Sequence, residues 1–473
     1  MTEEDLCFLP ATEAAALIRA RKLSPVDLMR AVVARVERLE PKLNAMSAFD
    51  PALALRRARA AEAEVMRGAA LGPLHGVPVT IKDLHWTEDY TTEAGSFTQQ
   101  GFKAPMDAPS VARLRTAGGV VFGKTTTSEL AWSGISNNPL TGMTHNPWKR
   151  GYNAGASSAG AGVGAAAGYG PLHQGSDGAG SIRMPSHFCG VFGLKPTHGR
   201  IPLHPVPTSD YTGHIGPMTR TVADAALMLG VMAGPHPLDL TSLEAPPADY
   251  LGRLDEGVRG RRVAFSPDLG HARVDPEVAA IVRQAATDFA AAAGLHMTEV
   301  TPAWGPVGVP LIRGFYRGHM QSRAHLLAEF ESRMDPPLVA CIRDGMSMTL
   351  AEYQDIRIRK LAYVADIHSW FEDWDFLITP AASTAAFPAD RHIPAHWPQH
   401  PWDWLQWAEF SYPFNMSWNP AASIPAGFTQ DGLPVGLQIV GRRFDDLGVL
   451  QASRAFEIAL PWADRRPSVD WSS

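Results

Sequence analysis

Between Gly151 and Pro202 the chain reads GYNAGASSAGAGVGAAAGYGPLHQGSDGAGSIRMPSHFCGVFGLKPTHGRIP, and no other stretch constrains the fold as strongly. So many small residues let backbone N–H groups come close to a ligand or to another chain segment. Hydroxyls are set in this bed: the pair Ser157-Ser158, and Ser181 in Ser176-Asp177-Gly178-Ala179-Gly180-Ser181-Ile182-Arg183, 24 residues after Ser157. Hydroxyls beside freely presented amides suit a nucleophile with an oxyanion hole. Ala159 to Gly168 also reads as a tightly packed buried helix. A third reading is a phosphate loop, because Gly160-x-Gly162-x-x-Ala165 fits a loose dinucleotide fingerprint. Its context is missing: the polar Tyr152-Asn153-Ala154-Gly155 precedes it instead of an apolar strand, and no Gly-Lys-Ser/Thr follows. These residues alone leave structural packing and hydrolase chemistry both open.

A serine nucleophile needs a base. His173, His187, His198 and His204 flank the serines, but none belongs to a Gly-x-Ser-x-Gly elbow, and each reads as a structural histidine. Upstream lies Gly76-Val77-Pro78-Val79-Thr80-Ile81-Lys82-Asp83. Val77, Val79 and Ile81 alternate with Pro78, Thr80 and Lys82, which is a strand pattern with Lys82 on the polar face. If that face is buried, desolvation lowers the lysine pKa and makes the neutral amine a usable base. If it is not, the lysine protects an edge strand.

Together these segments resemble the amidase signature family. A lysine in Val77-Pro78-Val79-Thr80-Ile81-Lys82-Asp83 is followed by the Ser157 segment 75 residues later, then by Ser181. Gly193-Leu194-Lys195-Pro196-Thr197-His198-Gly199-Arg200 and Gly216-Pro217-Met218-Thr219-Arg220 extend the resemblance, as do Leu23-Ser24-Pro25 near the start and Asp431-Gly432-Leu433-Pro434-Val435-Gly436 near the end. The resemblance implies an α/β fold, an α/β/α sandwich with a large mixed sheet covered by helices, and hydrolysis of an amide C–N bond. It implies Ser181 as nucleophile, Ser157 as a bridging serine on a cis peptide, and Lys82 as base. It puts the oxyanion hole on the N–H groups of Gly178, Ala179, Gly180 and Ser181, and makes Ser158, Asp177 and Arg183 supporting residues. Ala131, Trp132 and Ser133 match positions beside the substrate, and the absence of charge among them points to a neutral one. No metal and no organic cofactor is implied. The chain departs from the usual pattern at Ala159 and Ala179, where the family has glycine; alanine keeps its N–H, but each methyl needs space and a compatible φ.

With 473 residues, the chain is long enough for a sizeable core, and it reads as one domain: N-terminal helices (1–68), the signature core (69–235), a variable substrate-channel region (240–376) and a part closing the sheet (377–473). Net charge is −6 with no long basic run, which gives nucleic acid no support as a partner. Cys7, Cys189 and Cys341 are too scattered for a disulfide framework or a zinc site and suit a reducing compartment. The start MTEEDL lacks an apolar signal core and no 18-residue apolar run occurs, so a cytoplasmic protein without a membrane partner is expected. Ser24-Pro25 starts a helix; Ala52–Arg67, Ser110–Ala117, Pro276–Ala293, Leu350–Trp370 and Ala452–Leu460 read as further helices. Strands are expected at Val77–Ile81, Gly119–Phe122 and Arg262–Phe265, with closing strands from Asn415 to Arg442 around an Asp431-Gly432 turn. Between Pro388 and Tyr412 the chain holds Trp397, Trp402, Trp404 and Trp407 with His392, His396 and His400. Prolines there oppose a helical metal face, and the tryptophans are read either as a cap over the cleft, favouring an aromatic substrate, or as a self-packed loop.

The expected activity is hydrolysis of a small neutral or aromatic amide, with carbamates (a urethanase activity) and esters sharing the same carbonyl chemistry. A homodimer is left open. Two alternatives stand beside it: the glutaminase-type component of an amidotransferase complex, and an inactive binding protein on the same scaffold. Those amidotransferase components usually carry tyrosine where this chain has His198, which weighs against the first.

Overall fold

The computed structural model describes residues 1–206 and 211–471. Local signals account for many element boundaries. Ser24 Oγ accepts from the N–H groups of Val26 and Asp27 at the start of Pro25–Leu43, and Pro25 occupies the first turn, where a missing N–H costs nothing. Asp50 caps Pro51–Met66 in the same way. Thr349 and Glu352 form a reciprocal capping box that begins Leu350–Trp370.

Eleven strands make one mixed sheet: β1 (Met46–Phe49), β2 (Pro78–Lys82), β3 (Val120–Thr125), β4 (Leu172–Asp177), β5 (Phe192–Lys195), β6 (His214–Thr219), β7 (Arg262–Phe265), β8 (His296–Glu299), β9 (Phe376–Pro380), β10 (Ala421–Phe428) and β11 (Pro434–Gly441). Their order is β1-β3-β2-β4-β6-β5-β10-β11-β9-β7-β8. β2 runs parallel to β3 and β4, and β9, β7 and β8 are mutually parallel. The remaining neighbours are antiparallel.

The alternation in β2 divides its side chains as predicted. Val79 and Ile81 enter a core shared with Leu114, Leu172, Leu229, Val282 and Phe456, beneath the helices Pro109–Thr116, Val222–Met232, Pro276–Ala293 and Asp446–Ala459. Thr80 and Lys82 are buried too, because the helix Ala159–Ala167 packs against β2, β3 and β4. That helix has to be made of small residues. A Cβ on Gly160 would lie 2.1 Å from the Ala45 carbonyl oxygen and 2.5 Å from the Thr126 nitrogen. The packing reading and the chemical reading of the Gly/Ala run therefore describe the same stretch: close backbone approach is what buries the lysine.

Three expectations are corrected. The closing strands begin at Ala421, and Asn415 lies in the short helix Tyr412–Met416. The last helix begins at Asp446, earlier than Ala452, because Asp445 accepts from the Gly448 N–H as its cap. The Trp-rich segment does not cap the cleft. Trp397, Trp402, Trp404 and Trp407 are buried in a second core with Phe188, Phe315 and Leu338. Trp407 stacks on Phe188 with centroids 5.8 Å apart, and the indole N–H groups of Trp397 and Trp402 donate to Asp275 and Asp344. His392 and His396 face Asp335 and Asp275, and among the described residues no group of side chains could hold a metal ion. No helix among the described residues is long and apolar enough to cross a membrane.

Candidate active site

The site forms where β2 and β4 end side by side. Their parallel register pairs Ile81 with Gln174, so Lys82 emerges beside Gly175 and Ser176. Lys82 is fully buried, and its Nζ donates to Ser157 Oγ at 2.6 Å and to Ser176 Oγ at 3.0 Å. Burial lowers its pKa from 10.5 to about 7, against a smaller opposing pull from Asp177. The amine is therefore substantially neutral near neutral pH. The peptide bond between Ala156 and Ser157 is cis. Ser158 Oγ donates to the Ser176 carbonyl at 3.0 Å and accepts from the Ser176 N–H at 3.1 Å, locking the serine pair onto β4. The Ser158 N–H donates to the Ser181 carbonyl at 3.2 Å, which sets the two serine segments against each other. Ser181 is 5% exposed.

Asp177 organises the turn after β4. Its Oδ1 accepts from the Gly180 N–H (2.7 Å), Asn415 Nδ2 (2.8 Å) and an Arg183 NH2 (2.9 Å); its Oδ2 accepts from the Ile182 N–H (3.1 Å) and Arg183 Nε (3.0 Å). Burial alone would raise this carboxyl, but the Arg183 ion pair, its hydrogen bonds and the charge of Lys195 outweigh it and hold Asp177 well below the usual carboxylate range. Arg183 is itself fully buried and donates onward to the Ser411 carbonyl, Gln438 and Asn415. Charges this deep stay ionised only when every polar atom is matched, as here.

One predicted donor is corrected by this geometry. The Gly180 N–H is committed to Asp177 Oδ1 and is not presented to a substrate oxyanion. The amides of Gly178, Ala179 and Ser181 donate to no acceptor among the described residues. Gly180 is needed for its backbone, with φ at +117° and with Ser411 Oγ only 2.5 Å from where a Cβ would stand. Ala179 is accommodated, its methyl buried in the second core beside Trp132 and Met184.

A cavity of about 400 Å3 opens over this turn. Ser157, Ser176, Asp177 and Gly178 line it, as do Leu84, Leu130, Ala131 and Trp132, and its lining is mainly apolar. Leu130 and Ala131 take positive φ values of 48° and 57°, held by the Leu130 N–H donating to the Ala94 carbonyl at 2.7 Å. Trp132 is braced from behind, its Nε1 donating to Asp335 at 2.8 Å. Ser133 does not reach the cavity; its carbonyl accepts from Ser128 Oγ at 3.0 Å.

The four histidines flanking the serines divide. His173 bonds Thr80 and the Gly170 carbonyl, His187 bonds Gly436 and the Thr384 carbonyl, and His198 bonds the Gly213 carbonyl and Thr241, whereas His204 lines the cavity. Ser176 is the polar partner that sequence reasoning missed, although it stands beside Asp177 in a quoted motif. His85, His214, His319 and Arg323 also line the cavity. Arg323, from a region that carries no readable motif, puts a cationic side chain on the lining.

A buried lysine of lowered pKa, serine hydroxyls around it and an apolar cavity above them, on a helix-covered mixed sheet, define an enzyme of the amide-hydrolysing class. The chain belongs to the amidase signature family, whose model, described as Amidase, matches residues 27–450. It is 41% identical to an acylamidase of Rhodococcus erythropolis over 480 residues, spanning 99% of both chains. It is 33% identical to the A component of the glutamyl-tRNA(Gln) amidotransferase of Chloroflexus aggregans, again over 99% of both. The crystal structure of a bacterial aryl acylamidase of the amidase signature family superimposes with a TM-score of 0.90 at 26% identity, covering 96% of this chain and 97% of that one.

Proposed function

We propose that the protein is a free-standing, cytoplasmic acylamidase of one domain that cleaves the C–N bond of amides or carbamates with an apolar or aromatic body, through an acyl-enzyme on Ser181. The observation that carries this reading is Lys82: fully buried, brought to about pKa 7, and 2.6 Å from Ser157. The neutral amine takes a proton from Ser157 Oγ as Ser157 takes one from Ser181 Oγ, and Ser181 attacks the carbonyl carbon. The free amides of Gly178, Ala179 and Ser181 stabilise the oxyanion. The proton returns to the leaving amine, and water then attacks the acyl-Ser181 ester to release the acid. Asp177 and Arg183 shape the turn that presents these amides. The similarity to the Rhodococcus acylamidase and to the aryl acylamidase supports the substrate class. The unbroken sheet from Met46 to Gly441 supports the single domain, and three free, buried cysteines fit a reducing compartment.

The test is hydrolysis by the purified protein alone of glutamine, a short aliphatic amide, a nitroanilide and an aryl carbamate, beside Ser181→Ala and Lys82→Ala. Turnover of the nitroanilide or carbamate, lost in both variants, supports the proposal. Turnover of glutamine alone, or only with added partner proteins, replaces it with the amidotransferase reading. Activity surviving Ser181→Ala refutes the assigned nucleophile, and no turnover of any compound favours a binding protein.

A further inference from the structure

One wall of the cavity comes from the helix Gly308–Gln321 and the turn after it, through Ile312, Phe315, Tyr316, His319, Met320 and Arg323. Arg323 differs from its neighbours in electrostatic terms. The other two arginines of this segment are paired: Arg313 with Asp403 at 2.6 Å and Arg317 with Asp344 at 3.1 Å. Among the described residues Arg323 forms no ion pair, and its guanidinium reaches only the Met320 sulfur, at 3.3 Å. The acid whose field it feels, Glu129, is already engaged, with one carboxyl oxygen accepting from Ser96 Oγ at 2.7 Å and the other from the Asp335 N–H at 2.6 Å.

Among the described residues, the rest of the lining does not offset this charge. Asp177, the acid that the described residues place on the lining, is neutralised by Arg183 at 2.9 Å. Three imidazoles on the lining present buried nitrogens with no hydrogen-bond partner among the described residues, Nε2 of His85, Nε2 of His214 and Nδ1 of His319. Burial lowers His85 and His319 to about 3 and holds His214 well below its ordinary value, so all three offer hydrogen bonds without charge. The remaining lining is largely apolar. A wholly apolar substrate would close this space over an unpaired guanidinium and three unmatched imidazoles, which is unfavourable. A carboxylate would satisfy the guanidinium and the neighbouring His319 nitrogen, whose ring lies close enough to feel the Arg323 charge, and the planar guanidinium suits it.

We infer that the cavity holds an amide whose acyl or amine arm carries a carboxylate, bound by Arg323 with a hydrogen bond from His319. The inference rests on the proposed amidase reading and names the substrate class within it. Arg323 is a specificity residue that takes no part in breaking the bond.

The test uses the full chain, wild type, Arg323→Met and Arg323→Lys, with two substrate pairs. The acyl-arm pair is adipic acid mono-4-nitroanilide against hexanoyl 4-nitroanilide; the amine-arm pair is N-hexanoyl-4-aminobenzoate against N-hexanoylaniline. The expected result is a preference for the carboxylate in one pair. That preference falls about 10- to 100-fold in Arg323→Met, mainly through KM, and is partly restored in Arg323→Lys. The KM of the preferred carboxylate also rises with sodium chloride while that of its neutral partner does not, a readout that needs no variant. A wild-type preference for the neutral member of both pairs, or a ratio unmoved by Arg323→Met in protein with native circular dichroism, overturns the inference. Calorimetric binding of adipic acid monoamide to Ser181→Ala separates the two readings. Arg323-dependent binding without turnover of any amide would sink the amidase reading and keep the subsite. Serine-dependent turnover of neutral amides without carboxylate preference would do the reverse.

Discussion

A negative charge placed beside Lys82 tests the base assignment quantitatively. Burial brings this lysine from 10.5 to about 7. The fall is worth roughly 5 kcal/mol, so that at pH 7 about half the molecules hold a neutral amine, where an unperturbed lysine would give about one in 3000. Ser176 Oγ lies 3.0 Å from Nζ and Ser176 lines the cavity, so Ser176→Asp can point a carboxylate at the amine. An opposite charge at that distance raises a lysine pKa by about 1 to 3 pH steps. Because the base must be neutral to act, activity rises with pH through the lysine pKa. Wild-type kcat/KM on a chromogenic anilide, followed from pH 5.5 to 10, is expected to show an acidic limb near 7. In Ser176→Asp the limb moves to about 8 to 10, activity at pH 7 drops roughly 5- to 500-fold, and it recovers in alkali. Ser176→Asn, similar in size and uncharged, keeps the limb near the wild-type position. A wild-type profile flat from pH 6 to 9, or a Ser176→Asp limb superimposed on that of wild type, would refute the reasoning.

Other predictions follow from the same geometry. Between about pH 7 and 10.5 the unfolded chain holds a proton that the folded one has released from Lys82, so wild-type stability rises with pH across this window. Lys82→Met is therefore expected to gain about 2 to 4 kcal/mol over wild type at pH 6 in urea titrations, with the gain shrinking towards pH 10. Asp177→Asn leaves the buried Arg183 without its counter-charge and should cost about 3 to 5 kcal/mol in the same assay, with activity lost. Gly180→Ala puts a Cβ 2.5 Å from Ser411 Oγ at φ +117° and should lower the melting temperature, whereas Gly178→Ala adds a methyl into open space and should alter KM with little change in stability.

The sequence exposed whatever depends on near neighbours. Pro276–Ala293 and Leu350–Trp370 fall where their turn chemistry and periodicity put them, and the alternation of β2 fixes which face Lys82 occupies. The features it hid depend on long-range pairing. Ser176 meets Lys82 only because β2 and β4 run parallel in a register that pairs Ile81 with Gln174. The Gly180 amide reads as an oxyanion donor until the turn folds it back onto Asp177. Arg323, His319 and His85 carry no motif, and chain segments more than 200 residues apart bring them to one cavity. Composition revealed four tryptophans near 400 but not that all four turn inward, behind Trp132 and away from the cleft.

The central claim is that the acyl group passes through Ser181, and trapping it is the most direct measurement. Protein mixed with an activated aryl ester or anilide and quenched in acid during turnover is digested and analysed by tandem mass spectrometry. One acylated site is expected, Ser181, absent in Ser181→Ala and formed far more slowly in Ser157→Ala and Lys82→Ala. Acyl groups on Ser157, Ser176 or Lys82, or an unmodified Ser181 under conditions of steady turnover, would contradict it.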